Sequence, residues 1–312
     1  MPDLVIGGSG FVGRNLVRSL MGRGRAVFVL DRVRDATGDF TGTFIQGDAQ
    51  DPELLASVLA DVRPDDVYHL AANSDISAGI ADASLDFGDT LMTTMSLRSA
   101  LVQVPVKRLV FASSSAIFGV VDGPMEERGP ALPDPVSWYG KAKLASEYVL
   151  DSLSAERPGM SILMIRFPNV VGPLATHGVV YDFVRKLRSD STKLEVLGDG
   201  HQTKPYIHVS DLIDGIDHFL ASAAPGVTRI NIGPSDLVSV REIAAQVCEV
   251  LDVSPQVSYG DSAYGWLGDV PVYEFDTSKM QREGFTINTT SREAVRQAAE
   301  ALAREWTAEC QP

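Results

Sequence analysis

The stretch LVIGGSGFVG, residues 4–13, is the clearest indication of fold class in this chain. A short apolar run leads into three glycines, Gly7, Gly10 and Gly13, spaced as G-x-x-G-x-x-G. The first glycine permits a tight turn, the second lets the backbone approach a pyrophosphate, and the third lets a helix pack closely on a strand. The first turn of the helix that follows offers unpaired N–H groups to phosphate. The stretch therefore predicts a strand, a phosphate-binding turn and a helix.

The next predicted strand, AVFVLD at 26–31, ends in an acid where such folds bind a ribose. Asp31 is expected to accept hydrogen bonds from both ribose hydroxyls, which favours NAD over NADP. An arginine at Arg32 or Arg34 could bind a 2′-phosphate, but the carboxylate of Asp31 would repel that group. Asp48, in QGDAQD, either reaches the adenine or serves only as a turn residue, and both interpretations stay open.

The first half of the chain alternates short β-rich runs with helical stretches. Predicted strands are LVIG, AVFVLD, GTFIQGD, DDVYHLAA, RLVFASSS and SILMIRF, and predicted helices lie at 10–24, 52–62, 84–104 and 137–155. Short buried strands separated by helices are typical of a parallel sheet with right-handed crossovers. The predicted fold class is α/β, a Rossmann-type doubly wound parallel sheet with a smaller mixed α/β C-terminal substrate lobe.

The second half of the chain is more mixed, and no part of it has the composition of a flexible linker. Predicted helices at 178–189, 210–223 and 239–251 accompany a strand in LEVLGDG. Ser210 is the expected cap of the second of these helices. We expect residues 1–166 to form a dinucleotide-binding domain that part of 209–233 joins, and 167–312 to form mainly the interleaved substrate-binding lobe.

Composition excludes several classes of function. The 312 residues carry a formal net charge of −14, so a phosphate backbone would repel the chain and we expect no nucleic-acid partner. The two cysteines, Cys248 and Cys310, lie far apart without metal-ligand spacing, so we expect no metal site and a reduced, cytoplasmic setting. No run approaches the ~20 apolar residues that a membrane span needs, so we expect no membrane partner.

A tyrosine and a lysine, Tyr139 and Lys143, stand four residues apart in the predicted helix SWYGKAKLASEYVL. They share one helix face. A nearby ammonium lowers the pKa of a phenol, and a tyrosine tuned toward neutrality can act as general base on an alcohol. Three serines at 113–115 follow a predicted strand, whose carboxyl end should line the ligand crevice. They are expected beside the cofactor, although a polar turn would also explain them.

Several longer motifs accompany these features. They are GD at 47–48, HLAA at 69–72, SSSAIFG at 113–119, RFPNVVGP at 166–173, LGDGHQTKPYIHVSD at 197–211, NIG at 231–233 and GDVPVYEFDTSKM at 268–280. Together with the glycine turn, Asp31 and Tyr139-x-x-x-Lys143, they resemble the extended short-chain dehydrogenase/reductases, within the NAD-dependent epimerase/dehydratase family. The resemblance runs along almost the whole chain, and THGVVYDFVRKL and GWLGDVP look most like short UDP-glucose 4-epimerases.

The resemblance implies a catalytic centre and a cofactor. Tyr139 is the implied catalytic base, Lys143 is implied to hold the nicotinamide ribose and to lower the pKa of that tyrosine, and Ser114 is implied to hydrogen-bond the reacting hydroxyl. The implied cofactor is NAD, which stays bound because the hydride taken from the sugar is returned to it. The residues implied to bind NAD are Gly7, Gly10, Phe11, Val12, Gly13, Asp31, Arg32, Asp48, Ala49, Leu70, Ala71, Ala72, Asp89, Ser113, Tyr139, Lys143 and Pro168.

The implied substrate is a UDP-sugar. Residues implied to bind it are Ser114, Ser115, Asn169, His177, Val179, Gln202, Lys204, Tyr206 and Trp266. Lys204 replaces an arginine of the family pattern and, as a point cation, loses a bidentate phosphate contact. Asp89 stands where an asparagine often touches NAD. Trp266 stands near a diphosphate-binding arginine, and it either stacks on a base or packs the lobe.

The implied activity is nucleotide-sugar 4-epimerisation, with UDP-glucose and UDP-galactose interconverted through a 4-keto intermediate. Related dehydratases carry Asp-Glu after the serine, whereas Ser115 and Ala116 offer no carboxylate to protonate a leaving hydroxyl. Alternatives are an epimerase of UDP-N-acetylhexosamine or UDP-uronic acid, an NAD-dependent reductase or dehydrogenase, and a non-catalytic dinucleotide-sensing module. The resemblance also implies a homodimer formed by the helix that contains Tyr139 and the long helix before it.

Overall fold

The computed structural model describes residues 2–34, 42–127, 133–266 and 269–309. Gly268, the first residue of one matching motif, and Cys310 lie outside these ranges. The chain divides into two compact units. The first comprises the described residues within 1–118, 133–166 and 213–230, and the second those within 119–132, 167–212 and 231–312.

Strands and helices alternate along the first half of the chain. The strands are β1 (Pro2–Ile6), β2 (Ala26–Asp31), β3 (Thr43–Gln46), β4 (Asp66–His69), β5 (Arg108–Ala112), β6 (Ser161–Arg166), β7 (Asn169–Val171), β8 (Lys193–Val196), β9 (Thr203–Lys204), β10 (Tyr206–His208), β11 (Gly226–Asn231), β12 (Val238–Ser239) and β13 (Gln256–Tyr259). The helices are α1 (Phe11–Gly22), α2 (Pro52–Val62), α3 (Ile76–Ala81), α4 (Ala83–Asp86), α5 (Thr93–Gln103), α6 (Trp138–Glu156), α7 (Val179–Ser189), α8 (Val209–Ala221), α9 (Val240–Leu251), α10 (Ser278–Arg282) and α11 (Ser291–Glu309).

The first unit is built on a seven-stranded sheet with the order β11-β6-β5-β4-β1-β2-β3. The five pairings from β6 to β3 along this order are parallel. The order reverses between β1 and β4, which is where doubly wound sheets bind ligands at the carboxyl ends of their strands. The predicted Rossmann-type α/β fold is confirmed.

Burial explains why these segments take their forms. β1 buries Leu4, Val5 and Ile6 completely, as a parallel strand covered on both faces does. α1 buries Leu16 and Leu20 on one face, four residues apart, which is the spacing of an amphipathic helix. The glycine turn between them is thus fixed on both sides by buried apolar surface.

The helical stretch predicted over 84–104 is present, as α4, a π-helical segment and α5 in direct succession. A π-helical segment, Phe87–Met92, separates α4 from α5. The hydroxyl of Thr93 donates to the carbonyl of Asp89 at 3.0 Å, and that of Thr94 donates to the carbonyl of Thr90 at 2.9 Å. These bonds serve carbonyls that the widened turn takes out of the α-helical pattern, and such turns often occur at functional sites.

The predicted cap of α8 is wrong. The helix begins at Val209, so Ser210 lies inside its first turn. The ring Nδ1 of His208 accepts from the Ser210 backbone N–H at 3.3 Å and contacts the Ser210 hydroxyl at 2.7 Å, so the histidine ring takes the part expected of a capping oxygen. At α9, by contrast, Ser239 and Glu242 form a complete capping box.

The second unit has its own apolar core between helices and short strands. β7 pairs with β10, β9 with β12 and β8 with β13. α7, α9 and α11 cover these strands, and their buried faces include Phe183, Val247 and Val295. Helix α11 was not predicted, and its first residue, Ser291, is fixed by hydrogen bonds to Asp236.

Two features are absent from the described ranges. No helix there is long and apolar enough to cross a membrane. Likewise, the described residues contain no group of three or more His, Cys, Asp or Glu side chains that could hold a metal ion.

Candidate functional site

The glycine turn after β1 is shaped by backbone packing. Gly7 has φ +83°, and a Cβ there would lie 2.5 Å from the backbone N of Ala71. A Cβ at Gly13 would collide with the carbonyl of Gly7, whereas one at Gly10 would meet only that carbonyl, at 3.4 Å. Gly7 and Gly13 therefore close the turn on its inner side, and Gly10 leaves the outer side open to an approaching group.

The N-terminus of α1 fits a phosphate. Its N-cap, Gly10, has no side chain to accept from the first-turn N–H groups, which belong to Phe11, Val12 and Gly13. Leu70 and Ala71, after β4, both donate from their backbone N to the carbonyl of Ile6, at 2.9 and 3.0 Å. That pairing brings the segment 70–72 against the turn.

Asp31 connects the end of β2 to the glycine turn. Its Oδ2 accepts from the Ser9 N–H at 3.0 Å, and its Oδ1 accepts from the Val33 N–H at 3.3 Å. A carboxylate fixed beside a phosphate-binding turn fits the adenosine ribose of NAD. Asp48 accepts from the Gln50 N–H at 2.9 Å, which is a turn contact and accounts for one of its two open roles. Its neighbour Ala49 is buried.

The three serines lie at the end of β5, as expected, but they point to different partners. Ser113 is buried and donates from Oγ to Glu147 Oε1 at 2.5 Å. Ser114 caps the single-turn 3₁₀ helix Ser115–Ile117 and accepts from the Ala116 N–H at 3.1 Å. The Ser114 side chain also hydrogen-bonds Tyr139. The second serine is thus joined to the tyrosine, as the predicted catalytic pairing requires.

Tyr139 and Lys143 occupy the first turns of α6, which Ser137 caps by accepting from the Gly140 N–H. The Nζ of Lys143 lies 5.7 Å from the centre of the Tyr139 ring and donates to the Ala112 carbonyl at 2.6 Å. The predicted pair on one face is therefore present, and the lysine also anchors α6 to the end of β5.

The pKa values of Tyr139 and Lys143 differ from those that their spacing led us to expect. Burial raises the pKa of the Tyr139 hydroxyl to about 12, against the hydrogen bond from Ser114 and with a further increase from the Asp86 charge. Burial lowers the pKa of Lys143 to about 7, although Glu147 opposes the change. The expected lowering of the tyrosine pKa by Lys143 is not found, because desolvation outweighs the other influences.

A buried charge cluster behind the pair was missed by sequence reasoning. Glu147 accepts from Arg166 Nε at 2.9 Å and Nη2 at 2.7 Å, and from Arg229 Nε at 3.3 Å. Burial opposes ionisation, but the hydrogen bonds and charge of Arg166 outweigh it, and the pKa of Glu147 is lowered. The available signal was spacing, because Tyr139, Lys143 and Glu147 continue one i, i+4 row.

In the second unit, Lys204 does not present the free cation that the family pattern led us to expect. It is buried and forms an ion pair with Asp269. Its Nζ also lies 4.5 Å from the centre of the Trp266 ring, and Trp266 keeps 42% of its surface exposed. The lysine charge is thus compensated from within its own unit, and Trp266 packs over that ion pair.

The other predicted substrate residues have mixed surroundings. Tyr206 is part of the apolar core of the second unit, and its backbone N–H donates to Ser291 Oγ at 3.1 Å. Both polar side-chain atoms of Gln202 are buried and lack a hydrogen-bond partner among the described residues. Asn169 donates to the hydroxyl of Tyr273 at 3.3 Å. Of the remaining two, His177 is exposed and Val179 packs on the core; Pro168, predicted to bind NAD, lies against Gly233 in the same unit.

The first unit therefore brings together most of the predicted cofactor residues and all three predicted catalytic residues at the carboxyl edge of one sheet. The glycine turn follows β1, Asp31 ends β2, segment 70–72 follows β4, and the serines follow β5. Their donor set fits NAD, with N–H groups for a pyrophosphate and a carboxylate for a ribose. The roles of individual residues remain predictions.

Comparisons with known proteins agree with this geometry. The model of the NAD-dependent epimerase/dehydratase family matches residues 4–233. A UDP-glucose 4-epimerase of Lactobacillus helveticus is 31% identical over 243 residues, which are 71% of this chain and 72% of that protein.

Solved structures are similar over nearly the whole chain. A UDP-galactose 4-epimerase is 33% identical with a TM-score of 0.83, covering 98% of this chain and 99% of the other. MoeE5, solved in complex with UDP-glucose and NAD and also with UDP-glucuronic acid and NAD, is 31% identical with a TM-score of 0.87, covering 98% of this chain and 100% of the other. The chain belongs to the NAD-dependent epimerase/dehydratase family.

Proposed function

We propose that this chain is an NAD-dependent nucleotide-sugar 4-epimerase that interconverts UDP-glucose and UDP-galactose. The observation that carries the proposal is that Ser114, Tyr139 and Lys143 lie together. They lie at the same edge of the sheet as the glycine turn and Asp31. Relatives of similar length named UDP-glucose 4-epimerase and UDP-galactose 4-epimerase support the choice of sugar.

Each of these residues has a proposed role. NAD, when bound, supplies a reversible hydride acceptor. Tyr139, as the phenolate, takes the proton from the sugar hydroxyl at its phenolic oxygen, and Ser114, which already hydrogen-bonds that side chain, orients the same hydroxyl. Lys143, anchored on the Ala112 carbonyl, places a cation beside the tyrosine ring. The glycine turn and Asp31 hold the dinucleotide.

The residues after Ser114 support epimerisation over dehydration. Ser115 is buried and belongs to the same 3₁₀ turn as Ala116, and neither side chain is an acid. Elimination of a hydroxyl needs a group that protonates the leaving oxygen. The dehydratase branch of the family therefore has no support at these two positions.

The proposal is tested by incubating the purified protein with UDP-galactose and no added NAD. We expect UDP-glucose to form without accumulation of NADH, because the cofactor is regenerated in every turnover. Failure to interconvert any UDP-hexose would overturn the proposal. Stoichiometric NADH formation would instead identify a dehydrogenase, and tight NAD binding without any turnover would identify a dinucleotide-sensing module.

A uronic acid is the second candidate sugar. Its support is MoeE5, which is solved with UDP-glucuronic acid as well as UDP-glucose. A panel of UDP-glucose, UDP-N-acetylglucosamine and UDP-glucuronic acid distinguishes the candidates, and we expect the highest kcat/KM with UDP-glucose. Binding of the nucleotide sugar by the second unit, through Asn169, Gln202 and Trp266, belongs to the same proposal.

We also propose a cytoplasmic homodimer. Apolar side chains on the helices around the Tyr139 region support the dimer, because Met92, Met95 and Tyr148 are 44%, 45% and 60% exposed. The cytoplasmic setting is supported by the free thiol of Cys248. Light scattering should give twice the mass of one chain, and a monomer at micromolar concentration would contradict the dimer.

A further inference from the structure

Two arginines follow Asp31, where the 2′-phosphate of NADP would need a cation, and both are engaged by other side chains. Arg32 donates from Nη1 to Asp89 Oδ1 at 3.0 Å and from Nη2 to Asp89 Oδ2 at 2.9 Å. The Cζ of Arg34 lies 4.8 Å from the centre of the Phe44 ring. The first contact is a bidentate pair, which we name the Arg32–Asp89 clamp.

Both ends of the clamp are fixed by further contacts. Gln50 Nε2 donates to Asp89 Oδ1 at 3.3 Å, and the carbonyl of Asp89, which lies in the π-helical segment, accepts from the Thr93 hydroxyl. On the other side, Gln46 Nε2 donates to the Arg32 carbonyl at 3.2 Å. The Asp89 carboxylate is also the less exposed partner, at 22% against 55% for Arg32. The aspartate thus sets the position of the arginine.

Several carboxylates compensate the positive charge of Arg32. The hydrogen bond to Asp89 is the main cause that raises the pKa of Arg32, against burial, and the charges of Asp89, Asp48 and Asp31 add to it. A 2′-phosphate carries a charge of about −1.5 to −2 near neutral pH. The carboxylates of these aspartates would repel the phosphate. Arg32, the cation next to Asp31, is already paired with Asp89.

We propose that Asp89 is a specificity-determining residue, which selects NAD over NADP by holding Arg32 away from a 2′-phosphate. The penalty for NADP arises twice. Arg32 must leave a bidentate partner before it can reach the phosphate, and the released Asp89 carboxylate then repels that phosphate. The inference rests on the dinucleotide site of the proposed function but requires no turnover, so binding alone tests it.

The test is competitive loading of the full chain. Wild type, Asp89→Ala, Arg32→Ala and the double variant are equilibrated with excess NAD and NADP at equal concentrations, desalted and denatured, and the released nucleotides are quantified. We expect the NAD-to-NADP ratio to fall about tenfold in Asp89→Ala, the size of effect that one nearby charge pair produces. In the Arg32→Ala background, the same substitution should change the ratio less than about threefold.

Controls separate release of Arg32 from a general loss of negative charge. Asp61→Asn removes one charge from an exposed position on α2 of the same unit and should leave the ratio unchanged. Asp89→Asn, a smaller change, is used if the alanine variant does not fold. An unchanged ratio in the folded Asp89 variants would overturn the proposal, as would an equal fall with and without Arg32. Loss of both nucleotides would also overturn it, since Asp89 would then support binding without selecting.

Discussion

Replacement of Tyr139 by phenylalanine is expected to lower turnover of UDP-galactose by about 10²- to 10⁴-fold, the contribution of one positioned acid–base group. The ring that lies 5.7 Å from Lys143 Nζ is kept, and only the hydroxyl that hydrogen-bonds Ser114 is lost. The glycine turn and Asp31 are not altered, so NAD should remain bound. Initial rates of UDP-glucose formation, and the NAD released on denaturation, measure the two quantities separately.

Tyr148→Phe is the matched control for this experiment. It removes the same hydroxyl from the same helix, at a position that is 60% exposed, and it keeps the ring that we propose for the dimer surface. We expect it to change turnover by less than about twofold, as surface substitutions usually do. Full activity of Tyr139→Phe would contradict the proposed base, and equal losses in both variants would show that the effect is not specific to the hydroxyl at position 139.

Local features of the site could be predicted from the sequence because they depend on neighbouring residues. The positive φ of Gly7 and the close approach of Ala71 are requirements of a turn, and only glycine meets them cheaply. The common face of Tyr139 and Lys143 follows from helix geometry alone. The alternation of buried strands and amphipathic helices predicted the parallel sheet, because it too is a pattern of residues close together in the sequence.

The electrostatics of the site could not be predicted, because they depend on residues distant in the sequence. The charge of Lys204 is compensated by Asp269, 65 residues later, and no local pattern relates the two. The pKa of Tyr139 depends on how completely its hydroxyl is buried and on Asp86, the residue before the π-helical segment. A spacing rule shows which groups are neighbours, but desolvation decides which charge is favoured.

Glu147 and Lys143 lie one turn apart on α6, and their substitutions should change stability in opposite directions. Glu147→Gln is expected to lower the free energy of unfolding by about 3–5 kcal/mol at pH 7, the cost of leaving a buried charge without its partner. The uncompensated group is Arg166, whose side chain is only 5% exposed. Ser113 and Arg229 lose a charged acceptor at the same time.

The stability loss in Glu147→Gln should depend on pH, whereas the loss caused by a simple packing defect would not. The pKa of Glu147 is lowered by its arginine partners, so its stabilisation is present above its unfolded pKa of about 4.5 and is lost as the pH falls through the folded value. Glutamine does not titrate. The stability difference between wild type and Glu147→Gln should therefore shrink below about pH 4.5, as measured by urea unfolding at several pH values.

Lys143→Met is the opposing variant on the same helix. Burial lowers the pKa of Lys143 to about 7, so its charge lowers the stability of the folded protein. This stability cost is fully present below pH 7 and is lost as the pH rises from 7 toward the unfolded value of 10.5. Methionine fills a similar volume without that charge. We expect the variant to be inactive and yet ~1–4 kcal/mol more stable at pH 6, in the range found when buried ionic groups are replaced by apolar ones.

The two variants together test whether α6 retains the destabilising charge of Lys143 for catalysis. They also test whether the charge cluster around Glu147 stabilises the helix against that charge. The Lys143→Met advantage should diminish between pH 7 and 10.5, whereas the Glu147→Gln loss should stay constant over that range. A stability loss in Lys143→Met at every pH would show that its bond to the Ala112 carbonyl outweighs the burial of charge. A loss below about 1 kcal/mol in Glu147→Gln would show that Arg166 finds compensation without the glutamate.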